Sequence, residues 1–135
     1  MDNASSEAPG QTSPGRIMAV DDSPIALKKY AMTMDKAGFE YRPVQDPKAA
    51  LDAIAEFRPN VILMDQMMPD IDGFELTKMI ISTPGMEGIK IIMVSSDNKK
   101  ETVVKAVQGG AVDFLMKPFD DDALLAKIKK YLARK

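Results

Sequence analysis

Short apolar runs alternate along this chain with longer segments in which apolar residues recur every three or four positions. Such runs, where rich in isoleucine and valine, are typical of strands buried on both faces, and the longer segments are typical of amphipathic helices. The run at 39–45 is more polar than the others, which favours an edge of the sheet. Five strands that alternate with five helices predict a parallel sheet covered by helices on both faces. The predicted strands span residues 17–20, 39–45, 61–65, 89–94 and 112–116.

Each predicted helix follows a residue whose side chain can accept a hydrogen bond from the helix N-terminus. Asp72 and Glu75 have the spacing of a capping box in the third helix, and Asn98 and Glu101 have it in the fourth. Glycines at 38 and 109–110 are expected to end the first and fourth helices. The five predicted capping residues are Ser23, Asp46, Asp72, Asn98 and Asp120.

Helical spacing also predicts which side of the first and last helices faces the core. In the first helix this prediction leaves Ile25 and Leu27 outside the inward face. The residues predicted to face inward are Ala26, Tyr30, Met34 and Ala37 in the first helix, and Leu124, Leu125, Ile128 and Leu132 in the last.

Composition limits the chemistry open to the chain. Its 135 residues, 45% of them hydrophobic, suffice for one domain with an ordinary core, and residues 1–15 are too polar and too rich in Ser, Pro and Gly to join it. We expect that segment to be a disordered tail. The absence of cysteine and histidine excludes thiol and imidazole chemistry, and the net charge of -2 with dispersed lysines does not indicate nucleic-acid binding. No apolar run has membrane-spanning length.

Polar residues follow four of the predicted strands. Asp21 and Asp22 follow the first, Asp65 ends the third, Ser95 follows the fourth and Lys117 the fifth. The carboxyl ends of parallel strands share one edge of a sheet, so these side chains are expected to meet. Each of these residues also has a simpler explanation. An aspartate can cap a helix or bond loop amides, a serine can bond a neighbouring backbone group, and a lysine can lie on the surface. Three crowded acids repel unless a cation binds, and oxygen ligands favour Mg²⁺ or Mn²⁺ over zinc. The pattern predicts a metal-assisted phosphate site with a carboxylate nucleophile.

The order of these motifs resembles the receiver domains of bacterial two-component response regulators. The resemblance is carried by the Asp-Asp pair, by V-I-L-M-D-x-x-M-P-x-x-D-G around Asp65, by Ser95, and by Lys-Pro-Phe from Lys117. It covers residues 16–135 and implies a flavodoxin-like, doubly wound α/β fold with strand order 2-1-3-4-5.

The resemblance also implies roles at the acidic cluster. Asp65 corresponds to the phosphoacceptor, which is at the same time a metal ligand. Asp22 corresponds to a direct Mg²⁺ ligand and Asp21 to a supporting acid that reaches the metal through water. The backbone carbonyl of Met67 corresponds to a further protein ligand.

Three further positions match the family's switch. Ser95 corresponds to the hydroxyl that bonds the phosphoryl group, and Lys117 to the lysine that pairs with it. Phe114 occupies the switch aromatic position, often a tyrosine, so no phenolic hydroxyl is present there. The family further implies a cis bond between Lys117 and Pro118.

The resemblance implies a cytoplasmic signalling module rather than a metabolic enzyme. We expect a stand-alone receiver, of the kind used in chemotaxis, that takes a phosphoryl group from a histidine kinase or histidine phosphotransfer protein. It would then bind a downstream target protein, with no nucleic-acid or membrane partner. In receivers the surface corresponding to Ile25 and Leu27 contacts the phosphodonor, although scattered surface apolar residues are equally ordinary.

Two other functions share parts of this pattern. A flavodoxin-type electron carrier has the same fold but needs a phosphate cradle after the first strand, where this chain has the acidic, glycine-free Asp21-Asp22-Ser23-Pro24. A haloacid-dehalogenase-like phosphatase also uses an aspartyl nucleophile, but after its first strand in an Asp-x-Asp motif. Both fit the sequence less well than a receiver.

Overall fold

The computed structural model describes residues 15–133 and contains one five-stranded parallel sheet of order 2-1-3-4-5. The predicted flavodoxin-like fold is confirmed, with the polar second strand at an edge. The strands are β1 (Arg16–Val20), β2 (Glu40–Val44), β3 (Val61–Asp65), β4 (Lys90–Ser95) and β5 (Asp113–Met116). The helices are α1 (Pro24–Ala37), α2 (Ala50–Phe57, after a 3-10 turn at Pro47–Ala49), α3 (Gly73–Ile81), α4 (Lys100–Gln108) and α5 (Asp121–Leu132).

The core has two halves because successive residues of a strand point to opposite faces of the sheet. In β3, Ile62 and Met64 pack under α2, α3 and α4, whereas Val61 and Leu63 pack under α1 and α5. All five residues of β3 are buried. The central strand therefore delivers its last residue, Asp65, to the carboxyl edge from a rigid position.

The inward face of α1 differs from the prediction at Leu27. This side chain is only 6% exposed and packs with Tyr30 and Met34, whereas Ile25 is 71% exposed. Leu27 and Ala26 lie on adjoining parts of the same face, and the larger leucine takes the buried position because it removes more apolar surface from water. Leu27 therefore cannot belong to a docking surface, and Ile25 still can.

The predicted Asn98 cap of the fourth helix is wrong. The N-cap position is Lys99, which makes no side-chain capping bond, and the helix begins at Lys100. Asp97 instead stabilises the turn that precedes the helix: its Oδ1 accepts from the backbone N–H of Lys99 at 3.0 Å and its Oδ2 from the hydroxyl of Thr102 at 2.8 Å. An aspartate readily bonds the backbone two residues further on, and here that turn forms ahead of the predicted start.

The other predicted helix features mostly agree with the structure. Asp72 and Asp120 cap α3 and α5 as predicted. In α5 the third fully buried side chain is Tyr131, beside Leu124 and Ile128, while the predicted Leu125 and Leu132 are half-buried. None of the helices described here combines the length and apolar character that a membrane crossing requires.

The predicted disordered tail lies outside the described residues except for its last member. Gly15 is buried, and its carbonyl accepts a hydrogen bond from the backbone N–H of Glu40 at 3.0 Å. Gly15 therefore belongs to the folded domain, because this bond extends the β1–β2 pairing by one residue.

Candidate functional site

The carboxyl ends of the central strands bring the predicted polar residues to one edge. Asp21 follows β1 directly, and its backbone N–H donates to the carbonyl of Val44 at 3.1 Å. Asp65 and Ser95 are the last residues of the adjacent strands β3 and β4. The backbone N–H of Lys117 donates to the carbonyl of Ser95 at 2.8 Å, which continues the β4–β5 pairing past the end of β5.

Three carboxylates form the centre of this edge. Oxygen atoms of Asp21, Asp22 and Asp65 all lie within 4.8 Å of one another. Asp21 and Asp65 are buried, at 2% and 7% exposure, while Asp22 is exposed. Oδ1 of Asp21 accepts from the backbone N–H of Ser23 at 2.9 Å, but its buried Oδ2 receives no hydrogen bond from any residue in the described range 15–133. A buried carboxylate oxygen without a donor is costly, and a cation would satisfy it.

The pKa shifts of the buried acids in this cluster also favour a bound cation. Burial, reinforced by the charge of Asp21, raises the pKa of Asp65 from 3.8 to about 6, although Lys117 acts in the opposite direction. Burial also raises the pKa of Asp21. Nζ of Lys117 donates to Oδ1 of Asp65 at 3.1 Å, which leaves the other Asp65 oxygen free of this ion pair. A set of donors made only of oxygen atoms fits a hard divalent cation such as Mg²⁺.

The hydroxyl of Ser95 belongs to a different group of contacts. It donates to Oε1 of Gln66 and accepts from the backbone N–H of Asp97 at 2.9 Å. The sequence reasoning missed Gln66, although its place gave a signal. It directly follows Asp65, which is paired with Val94, so its side chain emerges beside Ser95 on the neighbouring strand.

Gly73 is a second residue that the sequence reasoning did not identify. A Cβ atom at this position would lie 2.4 Å from the backbone oxygen of Asp65, and the Gly73 N–H donates to the carbonyl of Gln66 at 2.8 Å. Only glycine allows the start of α3 to approach the acceptor strand so closely. The signal was the Asp-Gly pair at the end of the loop motif.

The remaining predicted residues lie around this centre. Phe114 is half-buried and packs against the core half under α2, α3 and α4. The Lys117–Pro118 bond is cis, as the resemblance implied. The next residue, Phe119, stacks on Tyr30 with ring centroids 6.2 Å apart, which holds the Lys117 loop against α1.

Met67 lies in the loop after β3 with an exposed side chain, and the ligand role of its carbonyl stays a prediction.

Comparison with known proteins places this geometry in a family. The response regulator receiver domain model matches residues 17–129. The chain is 30% identical over 118 residues to protein PilH of Pseudomonas aeruginosa, covering 87% of this chain and 98% of PilH. It is also 30% identical over 119 residues to the DNA-binding response regulator MtrA of Mycolicibacterium smegmatis, covering 88% of this chain but only 51% of MtrA. The chain thus spans about half the length of the MtrA relatives it matches.

Solved structures agree with the family match. The chemotaxis response regulator CheY4 of Vibrio cholerae aligns with a TM-score of 0.82 and 28% identity, covering 87% of this chain and 98% of CheY4. The BeF3-activated DrrB receiver domain aligns with a TM-score of 0.79 and 30% identity, covering 90% and 99%. The chain therefore belongs to the family of response regulator receiver domains, the signalling modules of two-component systems.

Proposed function

We propose that this receiver accepts a phosphoryl group on Asp65 from a histidine kinase or histidine phosphotransfer protein, in a Mg²⁺-dependent reaction. The observation that carries the proposal is the environment of Asp65, which lies buried at the carboxyl edge between two acids and a lysine. Membership of the receiver family supports the same function. The family also supports a cytoplasmic location.

The chemistry is a transfer between two covalent carriers. A carboxylate oxygen of Asp65 attacks phosphorus, the bond between phosphorus and the donor imidazole nitrogen breaks, and an acyl phosphate forms. Asp22, Asp65 and the carbonyl of Met67 would hold Mg²⁺ or Mn²⁺, with Asp21 supporting them. When bound, the metal supplies positive charge against the phosphoryl oxygens. Lys117, already bonded to Asp65, stays beside the oxygens that the phosphoryl group brings.

The product changes the charge at the edge of the sheet. A phosphoryl group adds a charge of about -1.5 to -2 and three strong acceptor oxygens. Ser95 and Lys117 are the donors we assign to them. Movement of Ser95 would vacate space towards Phe114, so the output is a change in the surface formed by α4, β5 and α5. A downstream protein that binds this surface would read the phosphorylation state.

Replacement of the acceptor tests the proposal. Asp65→Asn should abolish incorporation of phosphate from acetyl phosphate with Mg²⁺, measured by intact-protein mass, because an amide cannot form the acyl phosphate. Asp35→Asn, a change at an exposed aspartate of α1, is the matched control and should be modified like the wild type. Equal modification of Asp65→Asn and wild type would assign the acceptor to another residue.

A further inference from the structure

The Ser95 hydroxyl is engaged on both sides in the unphosphorylated protein. It donates its proton to Oε1 of Gln66 and accepts from the backbone N–H of Asp97. Ser95 is only 2% exposed, so water has little access to compete for these bonds. A serine hydroxyl has a single proton to donate. The proton given to Gln66 is therefore not available to a phosphoryl oxygen on Asp65.

Hydrogen bonds hold the backbone of Gln66 in place beside Ser95. Its backbone N–H donates to the carbonyl of Val94 at 3.0 Å, which continues the β3–β4 pairing one residue beyond Asp65. Its carbonyl accepts from the N–H of Gly73 at 2.8 Å, at the start of α3. With the backbone bonded on both sides, the side chain emerges between the two strand ends, where Ser95 meets it.

The same contacts continue from Ser95 into α4. Asp97, whose N–H binds the Ser95 hydroxyl, also accepts from the backbone N–H of Lys99 and from the hydroxyl of Thr102 in α4. A shift of Ser95 towards Asp65 must break the bond to Gln66 and must carry or break the bond to Asp97. Gln66 thus opposes the movement that would reach α4.

We propose that Gln66 is a positioning residue that holds the Ser95 hydroxyl away from the phosphoryl site and lowers the fraction of protein in the active state. The inference rests on the proposed function and adds a regulatory element to it. A net hydrogen bond between neutral groups corresponds to a factor of about two to ten in an equilibrium constant. Loss of the Gln66 acceptor should shift the equilibrium between the inactive and active states towards the active state by that factor.

The test measures the affinity of the protein for beryllofluoride, a phosphoryl analogue, in the presence of Mg²⁺. Gln66→Leu, which keeps a side chain of similar bulk but removes the acceptor, should bind about two- to tenfold more tightly than wild type. Gln66→Met provides a second variant if the leucine variant does not fold. Gln108→Leu, at an exposed position at the end of α4, is the matched control and should bind like wild type.

A double-mutant cycle separates positioning from a general packing effect. In a Ser95→Ala background the Gln66→Leu change should have no effect on beryllofluoride affinity, because no hydroxyl remains to be held. A second readout needs no ligand. Without beryllofluoride, the amide NMR signals of Asp97, Lys99 and Thr102 in Gln66→Leu should move towards the positions that they take in the beryllofluoride-bound wild type.

The outcomes are distinguishable. Wild-type protein that does not bind beryllofluoride would overturn the proposed function itself. Wild-type binding with unchanged affinity in Gln66→Leu and Gln66→Met would overturn the role of Gln66 alone. Weaker binding in those variants would also overturn it, because the amide would then be donating to the phosphoryl group. An effect of Gln66→Leu that persists in Ser95→Ala would assign the change to packing.

Discussion

At the scale of the residue, Asp65 is set apart from the exposed aspartates by its surroundings. It is buried beside a second buried acid, Asp21, and only one cation, Lys117, lies within an ion-pair distance of it among residues 15–133. Burial penalises the charged form of both acids, and their mutual repulsion adds to that penalty. The folded domain thus bears a local electrostatic cost that a bound cation would relieve.

Mg²⁺ should therefore raise the melting temperature of the protein. Binding to the folded state alone stabilises it by mass action. Oδ2 of Asp21, which has no hydrogen-bond donor among residues 15–133, and the three neighbouring carboxylates supply the favourable contacts. Asp22→Ala should lose most of this gain, whereas Asp52→Ala, an exposed aspartate of α2, should keep it. Thermal unfolding with and without millimolar Mg²⁺ provides the measurement, and an unchanged melting curve for wild type would contradict the metal site.

The pKa of Asp65 predicts the sign of a pH effect in the absence of metal. Its pKa of about 6 in the folded protein exceeds the ordinary value of 3.8, so the folded state binds this proton more tightly than the unfolded chain. The contribution of Asp65 to stability should therefore increase as the pH falls through 6 towards 4.

The measurement is the free energy of unfolding of wild type minus that of Asp65→Asn in EDTA across this window. The difference should rise as the pH falls, and Mg²⁺ should reduce or reverse the trend because the metal competes with the proton. A difference that is flat with pH in EDTA would contradict the raised pKa.

At the scale of the element, α1 has one face that packs on the sheet and another that is exposed to solvent. Leu27, Tyr30 and Met34 pack on the sheet, while Ile25, near the acidic cluster, is 71% exposed. An exposed isoleucine is ordinary by itself, so its position next to the site is what makes it a candidate contact for the phosphodonor.

Ile25→Glu should slow phosphoryl transfer from a phosphorylated kinase or phosphotransfer protein without changing modification by acetyl phosphate. The added charge opposes apolar docking of a protein donor, while a small donor reaches Asp65 without that contact. Met32→Glu is the matched control, since Met32 is an exposed apolar residue of the same helix at 57% exposure. Equal protein-to-protein transfer rates in both variants and wild type would remove Ile25 from the docking surface.

On β5, Phe114 is the residue that we propose to couple the site to the surface formed by α4, β5 and α5. Its ring already packs against the core and has no hydroxyl that favours an outward, solvated position. In protein labelled with fluorophenylalanine we expect the Phe114 fluorine resonance to move on addition of beryllofluoride and Mg²⁺. Moving an equilibrium from 1:99 to 99:1 needs about 5.5 kcal/mol, and one charge-assisted bond supplies about 1.5–3 kcal/mol, so a single new bond should give only a partial shift. A resonance that does not move would exclude Phe114 from the switch.

At the scale of the whole molecule, much of the fold could be predicted because each central strand is a short, continuous apolar run in the sequence. The run that ends at Asp65 is buried on both faces, so its pattern alone indicates a central strand. The shared edge then follows from topology, and with it the meeting of Asp21, Asp65 and Lys117. These predictions depend on the order of elements, which the sequence carries directly.

The features that the sequence pattern did not predict have a different physical origin. The rotation of α1 about its axis, which buries Leu27, depends on how residues compete for the same space. The Asp97 turn before α4 and the bond from Ser95 to Gln66 depend on side chains whose alternatives differ by about one hydrogen bond. Differences of that size between local partners are not visible in a pattern of apolar and polar positions.

Chemical trapping can show which residue carries the phosphoryl group. Protein treated with acetyl phosphate and Mg²⁺ is reduced with borohydride, which converts an aspartyl acyl phosphate to homoserine, and is then digested and mapped by mass spectrometry. We expect homoserine at position 65 and no conversion at Asp21 or Asp22. Homoserine at either neighbouring acid, or phosphate that resists reduction on another residue type, would contradict it.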